Sequence, residues 1–372
     1  MEAPNRRIRT AVRREGAERY LLLSLVSFAA SVTLTRLFLQ LTGYPQLGGG
    51  DLHIAHVLWG GLLLFIASLL PLVLANRWAY NTSAILSGVG VGLFIDEVGK
   101  FITQNNDYFY PPAAPIIYAF FLLTVLLYIR VRRPPDRNPR SELYRVLEGL
   151  TEVLDRDLDP QERAVLEARL FEVSTHVEDA NLQRLVKALV DYLEEEHLYL
   201  VEPIPTWQYR INKRFIQPVR SRLVNRQRMR WFLIVALGSM GVLALIEFVL
   251  LLAAIPEPGP ALEVLIQPLV TTGELRSAQD ALWFLVRTLL EGGTGALLIV
   301  SGGLFVIGKE RRAIRLATVV LIIWLTVINL LVFYLDQFGA IATTLVQFIV
   351  LTLLIRYRTL YLAHEVKVGS SP

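Results

Sequence analysis

The chain has 372 residues, of which 53% are hydrophobic and only 19% charged, with a formal net charge of +4 and a mean hydropathy of +0.46. That balance excludes an ordinary soluble globular protein, needs no nucleic-acid partner to explain it, and points to an all-α polytopic membrane protein. There is no cysteine, so disulfides and thiolate chemistry are excluded and any site must use oxygen and imidazole.

Residues 1–19 form a basic segment containing Arg6, Arg7, Arg9, Arg13, Arg14 and Arg19. It resembles the start of a signal peptide, but the apolar run after it is too long, and an uncleaved anchor fits better. Runs of the length needed to cross about 30 Å of hydrocarbon predict eight spans. Four lie within residues 20–129, at Tyr20–Thr42, His53–Ala75, Ser83–Thr103 and Ala113–Tyr128. Four more lie within residues 231–358, at Trp231–Ile255, Ala281–Ile307, Leu316–Tyr334 and Gly339–Ile355, before a tail of residues 359–372. Short loops after the even spans carry Arg77, then Arg130, Arg132 and Arg133, then Lys309, Arg311, Arg312 and Arg315, then Arg356 and Arg358. The positive-inside rule therefore places both termini in the cytoplasm of a multi-pass inner (plasma) membrane protein.

Residues 130–230 read as an inserted cytoplasmic helical domain. Leu143, Val146, Leu147, Leu150, Val153 and Leu154 follow one helical face, as do Leu166, Leu170, Val173 and Val177, and then Leu182, Leu185, Val186, Leu189 and Leu193. Asp159, Pro160 and Glu162 supply the start signal of the second helix. From 141 to 202 there are sixteen acidic against six basic residues, a surface for a protein partner or for self-association. Arg210–Arg230 holds eight basic residues and no acidic one, with Trp207 and Tyr209 just before it and Phe215 and Ile216 within it, and suits anionic lipid headgroups.

The third span, SAILSGVGVGLFIDEVGKFIT, carries Asp96, Glu97 and Lys100 where hydrocarbon is the solvent. Ionisable groups persist there only when paired, hydrated or used. The predicted topology brings Arg36, Asp51, His53, His56, Asp96, Glu97, Lys100, Asn105, Asn106 and Asp107 to one outer face from three consecutive spans. Two cations against four carboxylates call for a compensating cation. His53 and His56, three residues apart, together with Asp51, Asp96, Glu97 or Asp107, suit a divalent metal such as zinc. In a chemical role that metal would activate water, with a carboxylate as base and Arg36 or Lys100 holding an anionic group; Asp96, Glu97, Lys100 and Arg36 are thus the catalytic candidates. The structural alternative has Asp51 capping the second span, the histidines at headgroup level and Asp96 paired with Lys100 at i,i+4. Gly88 and Gly92, with Gly60 and Gly61, suit close helix packing rather than a dinucleotide fingerprint. In the second half, Glu247, Arg287, Glu291 and Asp336 are further intramembrane charges, with Arg287 and Glu291 spaced for an ion pair.

The strings TGYPQLGG, HIAHVLWGG, GLFIDEVGKFIT and NDYFY resemble those of an uncharacterised family of bacterial integral membrane proteins, over Thr35–Ala114. The resemblance implies that Arg36, His53, His56, Asp96, Glu97, Lys100, Asp107 and Tyr108 belong to one motif system, and it supplies no reaction. Three functions are open: membrane-surface chemistry or solute recognition at a metal-binding polar site, an ion- or proton-coupled secondary transporter, and a scaffold or sensor working through the inserted domain.

Overall fold

The computed structural model describes residues 10–43, 55–133, 138–177, 179–195, 199–201, 225–254 and 278–362. Among the described residues the chain is helical throughout, and eight helices are long and apolar enough to cross a membrane. The first four spans are α1 (Ala17–Thr42), α2 (His56–Val73), α3 (Arg77–Asp96) with the short α4 (Val98–Ile102), and α5 (Ala113–Val131). The insert holds α6 (Pro139–Gly149), α7 (Thr151–Leu154), α8 (Pro160–His176) and α9 (Ala180–Glu194). The last four spans are α10 (Arg226–Ala254), α11 (Ala278–Val306), α12 (Glu310–Ile323) continued by α13 (Asn329–Leu335), and α14 (Ala340–Tyr357). Large apolar side chains stay exposed along the spans, such as Leu58, Trp59, Phe65 and Leu72 on α2, the pattern of helices whose outer faces meet lipid tails.

Contacts divide the chain into two units. The first comprises Met1–Phe28, Leu62–Gly90 and Thr124–Ile211. Its insert builds a core from Leu143, Val146, Leu158, Leu166, Leu170, Val173, Val186 and Leu193. Leu147, Leu154, Leu182 and Leu185, expected on the buried faces, are exposed. On α6 and α9 neighbours such as Val146, Val186 and Leu193 fill the interior instead, whereas α7, which carries Leu154, buries none of its residues. The start of α8 follows its sequence signal. The Asp159 carboxylate accepts from the Gln161 and Glu162 backbone amides at 2.7 and 2.8 Å, and Glu162 accepts from the Asp159 amide at 3.2 Å. Asp159→Ala should cost about 1 kcal/mol locally, seen as faster amide exchange in the first turn of α8 and nowhere else.

The insert is pinned to chain outside it by charge. Arg169 forks onto the Glu15 carboxylate at 2.9 and 3.0 Å, Arg14 pairs with Glu148 at 3.0 Å, and Arg77 pairs with Glu152. Arg13 donates to the free carbonyls of Val131 and Arg133 at the end of α5, at 2.5 and 2.8 Å, satisfying acceptors that a helix end leaves unpaired. In the same unit α3 crosses α1 at Gly88, where an added Cβ would strike the Ser24 carbonyl and lie 2.8 Å from the Ser27 Cβ. Gly61, by contrast, has nothing within 4 Å of such a Cβ. The basic strip of 210–230 lies outside the described residues up to 224.

The second unit comprises Ala29–Gly61, Val91–Leu123 and Asn212–Pro372. Here α10 lies against α11 through Gly241 and Gly295, since a Cβ on Gly241 would come 2.6 Å from the Gly295 carbonyl oxygen. Such contacts let the two backbones approach where lipid provides no hydrophobic drive. Leu233, Leu237, Leu298, Phe305, Leu321 and Tyr357 fill the core. The seventh span is not a uniform α-helix, because Trp324–Ile328 forms a wider π-helical turn between α12 and α13.

Candidate functional site

The third span, expected to run as one helix to Thr103, breaks at Glu97. Arg36, from α1, explains the break. Its Nε donates to the Asp96 carboxylate at 2.5 Å, and its Nη2 donates at 2.9 Å to the Asp96 backbone carbonyl, which would otherwise serve the next helical turn. The chain answers with a tighter i,i+3 bond from the Lys100 amide to the Glu97 carbonyl at 3.0 Å, and α4 follows. Asp96 and Glu97, adjacent in sequence, are thereby both turned inward, 0% and 1% exposed.

His56 opens α2 and bridges the two carboxylates. Its Nε2 lies 3.0 Å from Asp96 Oδ2 and its Nδ1 lies 2.9 Å from Glu97 Oε1. The His56 backbone amide also donates to Glu97 Oε1 at 3.1 Å, placing a carboxylate on the free amides and positive dipole end of α2. Tyr108 donates its hydroxyl to Asp96 Oδ2 at 2.7 Å. The Arg36 guanidinium is stacked between the Tyr108 ring at 4.1 Å and the Phe338 ring at 4.0 Å, which suits a weakly hydrated planar cation out of water.

A turn delivers Tyr108. Thr103 Oγ1 accepts from the Asp107 amide at 2.8 Å, and the Asp107 carboxylate accepts from the Phe109 amide at 2.9 Å, while Asn106 takes a left-handed φ of 53° that asparagine tolerates. Gly99 lets this turn lie against α4, for a Cβ there would come 2.8 Å from the Asp107 carbonyl oxygen. Gly99→Val should push Tyr108 off Asp96 at a cost of about 1–3 kcal/mol, read as lower thermal stability in detergent together with a shifted tyrosine ultraviolet band.

The structure thus brings together Arg36, His56, Asp96, Glu97 and Lys100. Lys100 pairs with Glu97 at 3.6 Å rather than with Asp96, because the break at Glu97 takes it off the regular i,i+4 register. Asp107 is occupied in its own turn and does not join, and Asn105 and Asn106 are exposed. Asp51 and His53 lie outside the described residues. Among the described residues no group of three His, Asp or Glu side chains is placed to hold a metal ion. Among the described residues of the cluster, two cations, Arg36 and Lys100, face two carboxylates, Asp96 and Glu97. Phe338 escaped sequence reasoning altogether; it follows the end of the seventh span, and only the fold carries it to Arg36.

In the second half the spacing-based pair is present, with Arg287 Nε 3.1 Å from Glu291 Oε2, and Glu247 lies 3.9 Å from Arg287. No protein-family model, curated protein or solved structure matches the chain.

Proposed function

We propose that this integral membrane protein is a proton-coupled transporter, in which Asp96, His56 and Glu97 share a proton that is taken up and released as a polar solute binds. The carrying observation is the double engagement of His56, both of whose ring nitrogens face carboxylate oxygens. A neutral imidazole has one N–H, so making both bonds requires either an imidazolium or a protonated carboxyl. The trio therefore stores one proton. With it, the five groups including Arg36 and Lys100 sum to one positive charge, and without it to none. In a buried site that single charge is a large electrostatic change, which favours an anionic solute in the loaded state.

This reading is preferred to metal-assisted chemistry because the ligating atoms of His56 and Asp96 are already committed to each other, to Arg36 and to Tyr108. The basic loops support an orientation with both termini and the acidic insert in the cytoplasm, the cluster at the extracytoplasmic face, and the strip of 210–230 on anionic headgroups. The test is reconstitution into liposomes containing a pH-sensitive dye, with small carboxylates and phosphate added outside. Solute-dependent acidification that is lost in His56→Gln and Glu97→Gln is expected. If no member of that panel moves protons faster through wild-type vesicles than through His56→Gln vesicles, the reading fails.

A further inference from the structure

The insert has an apolar core of its own, made of residues from Leu143 to Leu193 with Leu200 packed against them. Its bonds to the starts of α1 and α3 are polar. The Glu15 carboxylate, just before the left-handed turn at Gly16 that leads into α1, is shared by Arg169 at 2.9 and 3.0 Å and by Arg145 at 3.8 Å. The Glu15 amide donates to Glu148 at 3.1 Å, and Arg140 donates to the Thr10 carbonyl at 3.0 Å. At the start of α3, Asn76 donates to Asp155 at 3.1 Å, and Arg77 pairs with Glu152.

Charged side chains suit both states of a contact that opens. Joined, Arg145 also pairs with Glu142, so Glu142, Arg145, Glu15 and Arg169 set two anions against two cations. Separated, each of the four can be hydrated, whereas apolar side chains in their place would resist exposure to water. A contact within one chain that is polar rather than large and apolar permits relative motion. The surface is also hollow, with a cavity of about 410 Å³ lined by Glu15, Arg77, Arg145, Glu152, Glu162 and Arg169, room enough for water and its ions to enter. Salt reaches the rim of the contact, because the Arg14 and Arg77 side chains are 42% and 38% exposed. Screening there tightens from about 10 Å in ~0.1 M salt to about 3 Å in ~1 M.

We infer that the insert is an ionic-strength sensor, which docks on the starts of α1 and α3 in dilute salt and lets go, still folded, as salt rises. The contact of α10 with α11 is the opposite case. There Gly241 and Gly295 bring two backbones together and Leu237 and Leu298 fill the core, and screening weakens neither. The inference does not rest on the proton reading of the Arg36 cluster, which involves other residues. It bears on the same span, because α1 begins after Gly16 and carries Arg36.

The experiment is amide hydrogen exchange on the full-length protein in nanodiscs of zwitterionic lipid, compared in ~0.05 M and ~0.5 M potassium chloride. The Glu15 amide should exchange at least about tenfold faster in the higher salt, while Val146, Leu170 and Val186 in the insert core keep their protection. Glu15→Gln removes the charge that Arg169 and Arg145 share, so it should show the fast exchange already in the lower salt, with the same core protection. Asp191→Asn, at an exposed position of α9, should respond to salt as the wild type does. Should Glu15→Gln fail to fold, Arg14→Gln decides in its place, by needing less salt for release. No change at Glu15 across that range, or a parallel loss of protection in the insert core, would overturn the inference. So would a wild-type salt response in Glu15→Gln or in Arg14→Gln.

Discussion

Arg36→Leu should destabilise the protein by about 3–5 kcal/mol, the usual cost of leaving one partner of a buried ion pair behind. The Asp96 carboxylate is wholly buried, and Arg36 supplies two of its residue's bonds, one to the side chain and one to the backbone carbonyl. The variant would also leave the Tyr108 and Phe338 rings without the cation between them. Adding Asp96→Asn should recover much of the loss, because an uncharged amide in that place no longer needs a counter-ion. Unfolding in mixed detergent, run on both single variants and the double, measures this directly; additive losses would mean that the pair is not coupled.

Gly88→Val should have the next largest effect, about 3 kcal/mol, at the upper end of the range for overpacking. The atoms a Cβ would meet include the Ser24 carbonyl and the Phe28 backbone nitrogen at 3.0 Å, and backbone cannot move aside as a side chain can. The change would force α1 and α3 apart within the first unit. Gly61→Ala is the matched control, because it meets nothing within 4 Å and gains helix propensity. Equal melting temperatures for the two variants would show that Gly88 is not a packing contact.

Much of this architecture is legible in the residues because hydropathy and helical period act locally. The eight spans, the insert between them and the cap at Asp159 all follow from runs of like residues or from a four-residue signal. Gly88 belongs here too, since small residues in an apolar helix announce a close crossing. The convergence of Arg36, His56, Asp96 and Glu97 was legible in part, for the three spans could be brought to one face by counting alone. Its detail was not, because the helix break at Glu97 depends on a cation from another span capturing a carbonyl. Lys100 changes partner for the same reason, and Asp107 is withdrawn by a turn whose hydrogen bonds are specific to Thr103 and Phe109. The π-helical turn at Trp324–Ile328 is the furthest from the sequence. It lies within an apolar run, and no composition announces it.

Nitrogen NMR of the full-length protein with isotopically labelled histidine would read whether Asp96, His56 and Glu97 share one exchangeable proton, as proposed. His56→Gln assigns the resonance pair. The His56 imidazole should show both nitrogens protonated or strongly hydrogen-bonded in mildly acidic buffer and lose that character in alkaline buffer, with the transition displaced in Glu97→Gln. A His56 signal of a simple neutral tautomer that stays unchanged across the same buffers, and is indifferent to Glu97→Gln, would contradict it.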